Sequence, residues 1–205
     1  MVKSETKVAL ITGASRGIGQ SIAQRLADDG YNLVIADIDF EGATATANAI
    51  AASHGVTTLA VQVDVTDVAS VQAAAATAIK HFDHVDALVN NAGAIQIKPW
   101  LEVDESDWNR MLDINLKGTF FMQQAVARHM IERKSGRIVN ISSGAARGPV
   151  PRSTAYGIAK LGVIHLTETT AVDLGPHNIN VNAVAPGVVA STNLWNDIGD
   201  GYKKY

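Results

Sequence analysis

Apolar residues fall into short runs rich in β-branched side chains: Lys7 to Thr12, Asn32 to Asp37, Leu59 to Asp64, Ala87 to Asn91, Gly136 to Ser142 and Asn178 to Val184. Runs of this length predict strands buried on both faces. Between them lie Ala-rich or amphipathic stretches of helical length, Gly19 to Asp29, Glu41 to Ser53, Asp67 to His81, Glu105 to Arg133 and Thr154 to Leu174. Strands alternating with helices predict βαβ units: an α/β fold with a doubly wound parallel sheet covered on both faces, three-layer αβα, in a single domain over 1–205. Local end signals agree. Asp67 falls in the first turn of a helix that follows Thr66, Asp104 and Ser153 stand at cap positions, and Gly30 and Gly175 follow helix ends. No repeat and no Ser/Pro/Gly linker divides the chain, and the ligand crevice of such a fold opens at the carboxyl ends of the strands.

Composition narrows the chemistry. The 205 residues are 47% hydrophobic and 18% charged, enough apolar material for one full core. With 17 Lys plus Arg against 20 Asp plus Glu, the net charge of -3 offers no basic field, so nucleic acid is not an expected partner. The absence of Cys removes disulfides, thiolate metal sites and thiol nucleophiles together. No apolar run approaches the ~18 residues of a membrane span, so a cytoplasmic chain with no membrane partner is the expectation. His81, Asp83, His84 and Asp86 lack a helical His pair and predict a solvated polar connection rather than a metal site. Asp104, Glu105 and Asp107 predict dipole partners at a helix start rather than paired catalytic acids.

Directly after the first strand comes Thr12-Gly13-Ala14-Ser15-Arg16-Gly17-Ile18-Gly19, with the next helix beginning inside it. A glycine turn there lets backbone N–H groups and a helix N-terminus approach a pyrophosphate. The spacing Gly-x-x-x-Gly-x-Gly departs from the general Gly-x-Gly-x-x-Gly fingerprint. Asp37 closes the second strand, where a carboxylate accepts hydrogen bonds from both hydroxyls of an adenosine ribose and repels a 2′-phosphate. That favours NAD over NADP. Arg16 pulls the other way, since a guanidinium in this loop can pair with a 2′-phosphate. The acid outweighs it, because a carboxylate facing the 2′-position must be overcome before a phosphate binds.

Tyr156-Gly157-Ile158-Ala159-Lys160 sets a phenol and an ammonium at i and i+4 on one helix face. A free tyrosine titrates near 10, so acid–base work near neutral pH requires lowering that value by about 3, or roughly 4 kcal/mol of differential stabilisation. An adjacent Lys and a cationic nicotinamide supply charge of the right sign. Ser143, at the end of the fifth strand, lies at the same sheet edge as the glycine loop, where a hydroxyl can bind the oxygen whose proton Tyr156 handles.

With these residues the sequence resembles the short-chain dehydrogenase/reductase family over nearly its whole length. The matching segments are the glycine loop, Asp64-Val65, Asn90-Asn91-Ala92-Gly93, Asn115, Ser143, Tyr156 with Lys160, and Pro186-Gly187 with Thr192. The resemblance implies a Rossmann fold in which Tyr156 is the general acid/base, Lys160 lowers its pKa and binds the nicotinamide ribose, and Ser143 orients the substrate oxygen. Asn115 is similar to the residue that holds a water linking Lys160 to solvent; satisfying a helix irregularity is its other reading. The implied cofactor contacts are Gly13, Ser15, Arg16, Gly17, Ile18, Gly19, Asp37, Asp64, Val65, Asn91, Ala92, Gly93, Pro186, Gly187, Val189 and Thr192, besides Tyr156 and Lys160. The Tyr-x-x-x-Lys spacing favours alcohol and carbonyl exchange over the enoyl reductases of the superfamily.

The expected activity is NAD(H)-linked interconversion of a secondary alcohol and a ketone of the polyol, diol or hydroxyketone type. An NADPH-dependent ketone or 3-oxoacyl reductase is the alternative for which Arg16 speaks, and a non-catalytic cofactor-binding protein is a second. Against the latter stands the set Asn115, Ser143, Tyr156 and Lys160, since a binding module needs no proton donor. Surplus apolar residues on the two longest helices, Phe120, Phe121, Met122, Val163, Ile164 and Leu166 among them, suggest subunit contact, and the resemblance implies a homo-tetramer or dimer. Family members also run further, through a substrate-covering segment, another helix and a seventh strand. The expectation is therefore that the sequence belongs to a longer polypeptide lacking its last strand here, that 190–205 begins a substrate loop, and that Asn178 to Val184 is an open apolar edge.

Overall fold

The computed structural model describes residues 6–189. The chain passes from β1 (Val8–Thr12) through α1 (Gly17–Asp28), β2 (Asn32–Asp37), α2 (Phe40–His54), β3 (Thr58–Gln62) and α3 (Val68–Phe82) to β4 (Ala87–Asn90). It continues through α4 (Glu105–Leu112), α5 (Gly118–Arg133), β5 (Gly136–Ile141) and α6 (Thr154–Leu174) to β6 (Ile179–Val184). Among the described residues six strands lie parallel in one sheet ordered β3-β2-β1-β4-β5-β6. The winding direction reverses between β1 and β4, which fixes the crevice at their carboxyl ends.

Alternation along β1 explains the layers. Val8 and Leu10 join Val71, Ala74, Met122 and Val126 in a core beneath α3 and α5, while Ala9 and Ile11 face Ala23, Ala27, Ala43, Ala47 and Ile50 of α1 and α2. The Ala-rich stretches are helices whose small side chains let them lie close to the sheet. The far half of that second face is mixed: Arg137, Asn180 and Asn182 are exposed on the side opposite Ile138 and Val181, and the same side carries half-buried Val139 and Ile141 and exposed Val184. The expected apolar edge at β6 is thus half polar, with Ile179 and Val181 buried and the intervening asparagines outward.

The stretch Glu105 to Arg133 is one helical run interrupted by a π-turn at Asp113–Lys117, where the Gly118 N–H reaches back to the Asp113 carbonyl. Asp104 caps its start in a reciprocal capping box with Asp107. Three end signals need correction. Asp67 is the N-cap of α3 rather than part of its first turn, accepting from the Ala69 N–H. Ser153 precedes α6 but makes no cap bond, its hydroxyl donating to Val150 O at 2.9 Å. Gly175 keeps helical dihedrals, and the left-handed residue after α6 is Asn178, with φ 59. Gly30, with φ 80, does end α1 in the expected way.

The expected solvated connection before β4 is also corrected at His84, which is only 4% exposed. Its Nε2 lies 3.2 Å from Thr6 O and 3.2 Å from the Asp86 carboxylate, which also accepts from the Val8 N–H at 2.8 Å and faces Arg133. The segment is a polar clamp on the start of β1. Among the described residues no three His, Cys, Asp or Glu side chains converge as metal ligands, and no helix is long and apolar enough to cross a membrane.

Candidate active site

The ends of all six described strands and the loops after them enclose a cleft of about 960 Å³. Gly13 and Gly17 adopt left-handed φ values of 64 and 60, which turn the chain from β1 into α1. At Gly13 a Cβ would stand 2.8 Å from Ala92 Cα, so the loop lies flat against the residues after β4. Asn91 holds it there, donating through Nδ2 to the carbonyls of Thr12 at 3.0 Å and Gly13 at 2.9 Å. In return Thr12 Oγ1 accepts the N–H groups of Asn91 and Ala92, each at 3.1 Å. Arg16, the exposed N-cap residue of α1, makes no side-chain cap bond, and no acid occupies the first turn. The helix N-terminus therefore presents N–H groups to an anion.

Asp37 is 9% exposed, and its two carboxylate oxygens accept from the N–H groups of Ser15 at 2.9 Å and Asp39 at 3.1 Å. These bonds aim the acid into the cleft while binding it to the glycine loop. Asp64 accepts from the N–H and the hydroxyl of Thr66, and Val65 packs against Gly118, where a Cβ would approach Val65 Cβ to 2.8 Å.

On the other side of the cleft, Lys160 is 4% exposed and donates through Nζ to Ile141 O at 2.9 Å. Its Nζ stands 5.9 Å from the Tyr156 ring centroid. Burial disfavours the ammonium and lowers its pKa from 10.5 to about 8. Tyr156, 7% exposed, forms a small apolar cluster with Met111 and Ala155, against which Ala94, Ile95, Leu112 and Ala145 pack. Ser143 starts a short 3₁₀ turn, Gly144–Ala146, its Oγ accepting from Ala145 N at 3.2 Å. Backbone bonds from Ser142 N to Val184 O and from Gly144 N to Pro186 O bring the residues after β6 alongside Ser143.

Asn115 lies in the π-turn, fully buried. Its Nδ2 donates to Ala94 O and Met111 O, both at 2.9 Å, and its Oδ1 accepts from Ala94 N at 3.2 Å. The side chain thus satisfies the helix irregularity and anchors the segment after Gly93. Both amide protons of the side chain are thereby spent within the protein, while its Oδ1 and its main-chain carbonyl, bonded by Thr119 Oγ1 at 3.0 Å, each retain a second lone pair.

The cleft is lined by Asn115, Ser143, Tyr156 and Lys160 together with Gly13, Ser15, Arg16, Gly17, Ile18 and Asp37. Asp64, Val65, Asn91, Ala92, Gly93, Pro186, Gly187 and Val189 line it as well. Gly19 does not. A Cβ there would come within 2.3 Å of Gly13 O, so this glycine serves the close approach of α1 to the loop. Thr192 lies outside the described residues. Sequence reasoning missed Ile95, Val150, Arg110 and Ile114, which also line the cleft. The first two sit in irregular segments at the carboxyl edge, a position that was the available signal.

The model of the short chain dehydrogenase family matches residues 7–203. The chain belongs to that family. This short-chain dehydrogenase is 43% identical over 189 residues to galactitol 2-dehydrogenase of Agrobacterium fabrum, across 92% of this chain and 72% of that one. It is 39% identical over 189 residues to a 3-oxoacyl-acyl-carrier-protein reductase of Staphylococcus aureus, across 91% of this chain and 76% of that one. The crystal structure of NAD+-bound xylitol dehydrogenase superposes with a TM-score of 0.90 at 36% identity, covering 95% of this chain and 75% of that chain. Membership makes the chain an oxidoreductase of alcohols and carbonyl compounds that acts on a small molecule with NAD or NADP. The residues fit such a dinucleotide: the glycine cradle leaves room that a Cβ would fill, a helix N-terminus stands open behind it, and an oriented acid closes the second strand.

Proposed function

We propose that the chain interconverts a secondary alcohol and a ketone of the polyol, diol or hydroxyketone type, with NAD(H) preferred over NADP(H). The observation that carries this reading is the buried Lys160 ammonium beside the Tyr156 ring, in the same cleft as the glycine loop and Asp37. When bound, the dinucleotide supplies the acceptor or donor of a hydride. Tyr156 takes the hydroxyl proton in oxidation and returns it in reduction. Lys160 keeps its own proton below about pH 8, so near neutrality its positive charge favours the Tyr156 phenolate. Ser143 Oγ, fixed by the Ala145 N–H, has its own proton to donate to the substrate oxygen.

Asp37 supports NAD, because its oriented carboxylate suits ribose hydroxyls and opposes a 2′-phosphate. Exposed Arg16 favours the second reading, an NADPH-dependent ketone or 3-oxoacyl reductase. Asn115 positions the segment after Gly93 by its side chain and offers a relay water its main-chain carbonyl. A homo-oligomer, dimer or tetramer, is supported by apolar residues left exposed on α5 and α6: Phe120, Ile158, Leu161 and Val172. Of the residues first considered for this contact, Met122 and Val163 belong to the core instead. The test is an absorbance assay for reduced nicotinamide with NAD and NADP across galactitol, xylitol, short diols and hydroxyketones. Turnover with NAD on at least one of these alcohols is expected. Turnover only with NADPH on 3-oxoacyl compounds transfers the function to the second reading.

A further inference from the structure

The glycine loop must present N–H groups to a pyrophosphate, and so its carbonyls must be turned away and kept there. Asn91 holds the carbonyls of Thr12 and Gly13. The carbonyl of Ser15 is held from another direction: Thr46 Oγ1, on α2 and 3% exposed, donates to it at 2.9 Å. The same hydroxyl accepts from Gln20 Nε2 of α1 at 3.0 Å, so its single proton is committed to Ser15. Ser15 is thereby bonded on both sides of its residue, through its carbonyl to Thr46 and through its N–H to the Asp37 carboxylate.

We infer that Thr46 is a positioning residue for the dinucleotide, acting through Ser15 on the orientation of Asp37. The inference rests on the NAD reading above. Without the Thr46 hydroxyl, a buried carbonyl lacks its partner, and rotation of the Ser15 peptides toward other donors relieves that loss. Such rotation withdraws the N–H that fixes one Asp37 oxygen. A loop that must recover its arrangement on binding has lower affinity, and a carboxylate no longer aimed at the ribose discriminates less against a 2′-phosphate.

The test is a fluorescence titration of NADH and NADPH into the wild-type chain, Thr46→Val and Thr46→Ser, with thermal melts of each. Thr46→Val keeps the shape and removes the donor, so it should raise the NADH Kd about five- to tenfold and the NADPH Kd by less than about twofold, narrowing the preference. Thr46→Ser restores the donor and should bring both values back. An NADH Kd within about twofold of wild type, or an equal loss for both nucleotides, overturns the inference, because a purely structural role would not move the ratio. Should Thr46→Val fail to fold, Gln20→Met removes the donor to Thr46 from the partly exposed α1; an NADH Kd raised about two- to threefold supports the inference and an unchanged one overturns it. A wild-type chain that folds but binds neither nucleotide defeats the NAD reading itself, a distinct outcome.

Discussion

The two sides of the cleft are built on opposite plans. Around β1, α1 and β2 the groups that would meet a ligand are backbone N–H groups and one carboxylate that the backbone orients, Asp37, while the side chains of Asn91 and Thr46 hold that backbone. Between β5 and α6 the backbone serves the side chains: the Ile141 carbonyl fixes a buried ammonium, and the Ala145 N–H fixes a hydroxyl. The first plan tolerates no added Cβ but carries little strain of charge. The second accommodates a desolvated lysine at a cost to folding. Binding and chemistry are thus separable by mutation, and the difference predicts which variants lose affinity and which lose turnover.

The largest effect belongs to Lys160→Met. It should lower turnover by about 1,000-fold or more, since it removes the charge that supports Tyr156. The same change should raise the melting temperature of the ligand-free chain, because the depressed Lys160 pKa corresponds to about 3 kcal/mol of unfavourable burial at pH 7. The sign is checkable by pH. Between about 8 and 10.5 the folded chain binds fewer protons at this residue than the unfolded one, so wild-type stability should gain from Lys160 as pH rises through that window. Melts of Lys160→Met should lack that gain.

Gly13→Ala tests the backbone plan. A side chain at φ 64 and 2.8 Å from Ala92 Cα forces the loop off β4, so NADH affinity should fall about 10- to 100-fold by titration. Asp37→Asn is smaller: it keeps acceptor capacity for the Ser15 N–H and removes the charge, so the NADP-to-NAD ratio of kcat/KM should rise about fivefold or more. An unchanged ratio would mean that Arg16, not Asp37, governs the choice.

The same division explains what was legible in the sequence. The parallel sheet was readable because buried strands carry continuous apolar runs, and the glycine loop because left-handed turns and close approach demand glycine at Gly13 and Gly17. Tyr156 and Lys160 were readable from helical spacing. The π-turn was hidden, because Asp113–Lys117 contains no helix breaker and the partner that Asn115 bonds from within it, Ala94, lies 21 positions away. His84 reads as a surface residue until Thr6 and Asp86 are brought to it. Thr46 sits in an Ala-rich helix where nothing local marks its partner, Ser15, which lies 31 positions earlier. Side chains that hold distant backbone leave no periodic signal.

The central claim, that Tyr156 moves the proton while the glycine loop and Asp37 secure the nucleotide, is tested most directly by Tyr156→Phe, with turnover and NADH affinity measured on one preparation. The account predicts that turnover on the best alcohol found falls about 100- to 10,000-fold, while the NADH Kd stays within about threefold of wild type. Turnover retained within a few-fold would contradict the account.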